Sequence, residues 1–150
     1  MSVAFRILAL CCALSWVHAY AALGGDAASV QADGTQLHAA VSSTAFGAYE
    51  RRDLDLASGG VIREFLDDSG TVFAVTWHTP VPPDLKQLLG ERYADFTDAL
   101  RALDHPGLHR SVHLVRAGLI VDASGRPRAY QGRAYLPAAL PAGVPLEALH

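Results

Sequence analysis

Cysteine is almost missing from this chain. It occurs twice in 150 residues, side by side at Cys11 and Cys12. Charge is scarce too: 18% of residues are Asp, Glu, Lys or Arg, against 51% hydrophobic. A disordered chain or a coiled coil needs far more charge, so both are excluded. Lysine occurs once, at Lys86, while Ala, Gly and Pro are plentiful. That bias reflects a GC-rich coding sequence rather than a function. The formal net charge of −3 does not suit a nucleic-acid surface. No apolar run reaches the roughly 20 residues of a membrane-spanning helix. There is no GxSxG elbow, no SxxK, and no glycine-rich phosphate loop between a strand and a helix. Nucleotide and flavin signatures are therefore absent, and no cofactor is expected. The length allows one domain.

What is present begins with a secretory signal over residues 1–21. Arg6 supplies the positive start, and Ile7 to Val17 the apolar core. Ala19-Tyr20-Ala21 supplies the small-x-small cleavage site. Cleavage is expected after Ala21, with a cut after Ala19 as the weaker choice. An uncleaved anchor running on through Leu23 is the competing reading, but His18 interrupts it. Both cysteines fall inside the signal. Neither follows a small residue, as lipid attachment would require: Leu10 precedes Cys11, and Cys11 precedes Cys12. The mature chain, Ala22 to His150, would then have no disulfide, thiol nucleophile or thiolate metal ligand. Removing Arg6 leaves 11 basic and 15 acidic residues, a balance of −4. The expected location is the periplasm or the exterior, with no transmembrane segment after cleavage.

Residues 22–44 are rich in Ala, Gly and Ser and show no sustained period of 2 or 3.6. They read as a flexible leader, with one short helical or extended stretch near Leu37 to Val41. Residues 45–150 read as a single α+β domain. Tyr49 to Leu56, Val61 to Asp67 and Thr71 to His78 are strand candidates. Turns at Ser58-Gly59-Gly60 and Asp68-Ser69-Gly70 join them into an antiparallel meander. Pro80, Pro82 and Pro83 end the third strand.

Asp84 is a good helix N-cap, with Gln87 as its capping-box partner. Leu85, Leu88, Leu89, Tyr93, Phe96, Leu100 and Leu103 then fall within an arc of about 140° on one helix. Gly90 divides this segment into a short helix and a longer one. After Asp104-His105-Pro106-Gly107, a fourth strand is expected at Val112 to Arg116. A last hairpin pairs Leu119–Asp122 with Arg128–Tyr135 around a turn at Ala123-Ser124-Gly125. The tail, with Pro137, Pro141 and Pro145, is expected to lie extended along the domain, with one helical turn begun by Pro145. The predicted fold is α+β: an antiparallel sheet of five to six strands covered by one main helix.

Several blocks together resemble a known family. They are Ala22-Leu23-Gly24-Gly25, Gly59-Gly60-Val61-Ile62-Arg63-Glu64-Phe65, and Gly70-Thr71-Val72-Phe73-Ala74-Val75-Thr76-Trp77. Pro80, Pro83-Asp84-Leu85, Leu88-Leu89-Gly90, Gly132-Arg133-Ala134-Tyr135-Leu136-Pro137 and Leu140-Pro141-Ala142-Gly143-Val144 complete the set. The chain is similar over its whole mature length to an uncharacterised family of small exported Gram-negative bacterial proteins, a domain of unknown function. The resemblance implies export and carries no activity or catalytic residues.

The candidate sites each face a plainer explanation. His105, His109 and His113 are spaced by four, as three metal ligands on one helical face would be. Pro106-Gly107 breaks such a helix, and on a strand His109 and His113 would stand about 13 Å apart. Ser58, Ser69 and Ser124 each precede a turn glycine, which turns favour for backbone reasons. His78 and Asp84 flank the proline loop, but nothing in the sequence brings a serine to them. Asp53/Asp55 and Asp67-Asp68 read as strand and turn residues. Charge is unevenly spread: residues 22–104 carry 6 basic and 13 acidic groups, residues 105–150 carry 5 and 2. Arg126, Arg128 and Arg133 therefore either pair with the acidic meander or form an anion site. Trp77 and Tyr135 adjoin proline-rich segments, an arrangement that suits either docking or edge protection.

The expectation is a non-enzymatic binding or accessory protein of the bacterial envelope. Its binding residues would come from Trp77, His78, Asp84, Arg126, Arg128, Arg133 and Tyr135. Its partner would be an envelope protein or an anionic ligand, and not nucleic acid. The alternative is a small envelope hydrolase or metal-binding protein using His78 or His105, His109 and His113. An enzyme should hold His78 in a concavity beside a nucleophile or carboxylate. A docking module should expose an apolar patch at Trp77 or Tyr135.

Overall fold

The computed structural model describes residues 23–103 and 111–150. The signal segment 1–21 and the histidines His105 and His109 lie outside the described residues.

Alternating β-rich segments form seven strands: β1 (Ala40–Ala45), β2 (Glu50–Leu56), β3 (Gly60–Leu66), β4 (Val72–Thr79), β5 (Ser111–Arg116), β6 (Leu119–Arg126) and β7 (Ala129–Tyr135). They make one sheet in the order β1-β2-β3-β4-β7-β6-β5, with every neighbouring pair antiparallel. The fold is α+β. Six of the strands match the expected ones, and β1 makes the seventh.

That extra strand corrects the leader reading. Residues 27–36 form helix α1 (Ala27–Gln36), and β1 follows within the same stretch. Asp26 caps α1 by accepting from the Ser29 backbone N–H. Few large side chains hold this segment. Instead it is tied by backbone bonds from Leu23 N–H to Leu88 C=O, from Gly24 N–H to Val72 C=O, and from Val72 N–H to Gly25 C=O. Arg52 Nη1 adds a bond to the Ala27 carbonyl. Partners so distant in sequence leave no local period to read.

The main helix occupies Leu85–Arg101 in three pieces: α2 (Leu85–Leu89), a 3-10 turn at Gly90–Arg92, and α3 (Tyr93–Arg101). Gly90 divides it, as expected, at φ 50°. Asp84 caps α2 by accepting from Lys86 N–H and Gln87 N–H. The capping box is only half made. The Gln87 side chain turns away and donates to Asp33 of α1 at 2.9 Å. Of the predicted stripe, Leu88, Leu89 and Phe96 are buried, joined by Ala99, in one core with Leu54, Ile62, Val75, Trp77, Leu114 and Val121 of the sheet, while Leu85, Tyr93, Leu100 and Leu103 are partly buried against it.

The opposite sheet face carries a second, smaller core. Register slips between Phe65 and Leu66, so Phe65 faces Ala74 while Leu66 faces Val72. This bulge lets Phe73 join Ala74 in a cluster with Phe65 and Tyr135. The C-terminal tail covers that cluster with Leu140, Leu146 and Leu149, through 3-10 turns at Pro137–Ala139 and Leu146–Ala148. Beside the tail cluster, an open depression remains on this face among the described residues. The last hairpin also departs from expectation: Ala123, Ser124 and Gly125 stay in β6, and the chain reverses at Pro127-Arg128. Proline preset for a turn and unable to donate to the ladder moves the reversal to its own position. Among the described residues, no helix is long and apolar enough to cross a membrane.

Candidate functional site

Strand register builds one polar row across the sheet face that also carries the tail. Asp53 pairs with Arg63, Arg63 with Thr76, Thr76 with Arg133, Arg133 with Asp122, and Asp122 with His113. Residues directly opposite in neighbouring strands point to the same face, so all six lie on one side of the sheet. The row sits in an open depression of about 980 Å³ whose lining includes Arg63, Thr76, His78, Asp122, Gln131 and Arg133. Leu149 and His150 of the tail form part of its wall. A second hollow continues from Ser124 and Gln131 to Arg126.

Two braced arms meet at Thr76. On one side, Asp53 bridges Arg51 at 2.9 Å and Arg63 at 3.0 Å. On the other, Asp122 accepts from Arg133 Nε at 2.9 Å and is bonded to His113 Nδ1. Arg133 Nη1 also donates to the Leu146 carbonyl, which ties the arm to the tail. Partial burial pushes the Asp122 carboxyl up, but the hydrogen bonds from His113 and Arg133, with their charges, outweigh it. The group is held below the usual carboxylate range. These pairs are part-exposed, so they orient side chains more than they stabilise the fold.

The residues singled out from the sequence divide into three groups. Arg133 and His78 reach the depression, and Arg126 reaches the adjoining hollow. Trp77 is among the residues that line it, but its ring packs in the helix-side core, and Tyr135 does not line it. Trp77 is 4% exposed within the helix-side core, and Tyr135 is 6% exposed within the tail-side core. The exposed apolar patch expected of a docking site at these aromatics is therefore not there, because adjacent helices and the tail already cover them. Asp84 spends its carboxylate on capping α2. Arg128 lies in the β6–β7 turn with φ 68°, outside the strand that carries Arg133. Among the described residues, no ion pair joins the basic C-terminal segment to the acidic meander. Arg116 lies 3.7 Å from Asp98 of α3, and Arg133 binds Asp122 of its neighbouring strand.

His78 is exposed and has no hydrogen-bond partner among the described residues, carboxylate and serine hydroxyl included. His113 does have a carboxylate, Asp122, which sequence reasoning missed. Missed too were Arg63 and Thr76. Thr76 and His78 share one face of β4, a parity visible in the sequence. The alignment of Arg63 and Arg133 on either side of Thr76 depends on the register of β3, β4 and β7. Among the described residues, no three His, Cys, Asp or Glu side chains are grouped as a metal site would need.

No curated protein and no solved structure matches the chain. The family described as "Protein of unknown function (DUF2844)" matches residues 19–149, and the chain belongs to that family.

Proposed function

We propose that this chain is a non-enzymatic binding or accessory protein of the bacterial envelope, acting through the open half of the outer sheet face. The observation that carries this reading is the depression itself. It is of small-molecule size and carries polar side chains with unused hydrogen-bonding capacity: His78, Ser124 and Gln131 have no hydrogen-bond partner among the described residues. Its partner is an anionic ligand or an envelope protein presenting an acidic group. Export rests on the signal at residues 1–21, which would deliver the mature chain to the periplasm or beyond. The test is a crosslinked recovery from native envelopes, with a photo-reactive side chain at Ser124 and mass spectrometry as the readout. A partner captured from Ser124 and not from an exposed position on β1 supports the reading. Intact mass should begin at Ala22.

A second reading, a small envelope hydrolase, is favoured by one observation. Asp122 orients the His113 imidazole inside the same depression, near Ser111 and Ser124. A serine nucleophile needs a hydrogen bond to the imidazole, and among the described residues neither serine makes one. Covalent labelling by a fluorophosphonate, lost on Ser111→Ala or Ser124→Ala, would favour this reading over the first.

A further inference from the structure

We propose that Arg63, Thr76 and Arg133 form a carboxylate-binding subsite for a small hydroxylated monocarboxylate. This deepens the binding reading above and rests on it.

The three residues are consecutive across β3, β4 and β7. Neighbouring strands are about 4.8 Å apart, so the arginine Cα atoms stand roughly 10 Å apart with Thr76 between them. Two guanidinium groups at that separation can reach one group above the threonine. Each is held from the far side through Nε: Arg133 by a hydrogen bond to Asp122, and Arg63 by an ion pair with Asp53 at 3.0 Å that makes no hydrogen bond. That bracing leaves the terminal nitrogens for something else. Among the described residues, neither Nη of Arg63 has a hydrogen-bond partner, nor has Nη2 of Arg133. A guanidinium has five N–H donors, so most of the capacity of Arg63 is unused.

Thr76 is a second, independent observation. It is 4% exposed, and its buried hydroxyl has no partner. Buried polar groups in native proteins are nearly always bonded, and the exceptions call for an explanation. This exception lies on the strand between the two arginines.

The local charge selects the ligand. Arg51, Arg63 and Arg133 against Asp53 and Asp122 leave three positive and two negative groups, a surplus of one. A phosphate dianion would exceed that surplus and meet two carboxylates in the same row. A carboxylate brings one charge and two coplanar oxygens that match a guanidinium fork. Gln131, Ser124 and His78 line the same depression without partners among the described residues. They offer donors and acceptors to hydroxyl groups on the remainder of the ligand.

Gluconate and sorbitol differ at a single carbon, carboxylate against alcohol, and make the discriminating pair. Isothermal titration of the purified protein should show gluconate binding with sorbitol at least about tenfold weaker, and inorganic phosphate weaker than gluconate. Arg63→Gln should weaken gluconate about tenfold or more, and the isosteric Thr76→Val should weaken it several-fold with an unchanged or raised melting temperature. Side-chain Nε signals of Arg63 and Arg133 should shift on adding gluconate. Equal binding of sorbitol, tighter binding of phosphate, or an Arg63→Gln variant that binds gluconate normally overturns the subsite. If gluconate moves nothing while Ser124 still crosslinks a single envelope protein, the subsite is overturned and the binding reading stands. If neither occurs, both fall.

Discussion

Gly132 decides how the central strands meet. It lies opposite Trp77 on β4 and Ala123 on β6. A Cβ added there would sit 2.4 Å from Trp77 Cζ2 and 2.5 Å from the Asp122 carbonyl oxygen. The indole therefore lies over the bare glycine and fills the space a side chain would take. The ring cannot withdraw without opening the helix-side core, and the carbonyl belongs to the ladder. Gly132→Ala should cost about 3 kcal/mol, at the upper end of overpacking, read as a lower urea midpoint with an unchanged slope. The motif Gly132-Arg133-Ala134-Tyr135 is legible in the sequence. That its glycine serves Trp77, 55 positions earlier, is not. Tight packing on both faces also explains why the aromatics failed as docking candidates: they are what the two cores are made of.

At the scale of elements, two hairpin turns run against residue preference. The β5–β6 reversal passes through Ala117 and Gly118, both at positive φ, 49° and 75°. The β6–β7 reversal places Arg128 at φ 68° after Pro127. A side chain with a Cβ in the left-handed region costs about 1–2 kcal/mol, less for Asn and nothing for Gly. Ala117→Asn and Arg128→Gly should each raise stability by roughly 0.5–1 kcal/mol, seen as additive increases in melting temperature because the turns share no partners. The strands and the main helix were legible because their apolar residues repeat locally. Helix α1 and strand β1 were not. Their Ala, Ser and Gly residues carry no period, and their order comes from β2, β4 and α2, which only the folded chain brings near.

At the scale of the whole molecule, the buried Glu64 couples stability to pH. Glu64 of β3 is completely buried, and neither carboxyl oxygen has a partner. Burial first, then the negative charge of Asp33 on α1, raise its pKa from 4.5 to about 8 against the pull of Arg52. A pKa higher in the folded state contributes stability fully below 4.5 and loses it as pH rises towards 8. The lowered carboxyls act in the opposite sense. Hydrogen bonds from Ser43 and then Arg52 lower Glu50, and one from Ser69 leads in lowering Asp67. Their contribution is present above the ordinary carboxylate range and fades in acid. Stability should therefore peak on the acid side of neutrality and fall between about pH 5 and pH 8. Glu64→Gln should flatten that alkaline fall and leave the acid limb unchanged, as measured by urea midpoints across the range.

By itself, the sequence determined the α+β class, six of the strands, the capped and divided main helix, and the packed proline-spaced tail. Each is written in neighbouring residues: period 2, period 3.6, a cap, a proline. Tertiary structure alone decided the seventh strand, the burial of Trp77 and Tyr135, and the polar row at Thr76. Parity along β4 already gave Thr76 and His78 a common face. Only cross-strand register could set Arg63 and Arg133 on either side of Thr76, with Asp53 and Asp122 behind them. Register depends on turn geometry and on which faces are buried, and these are properties of strands in contact.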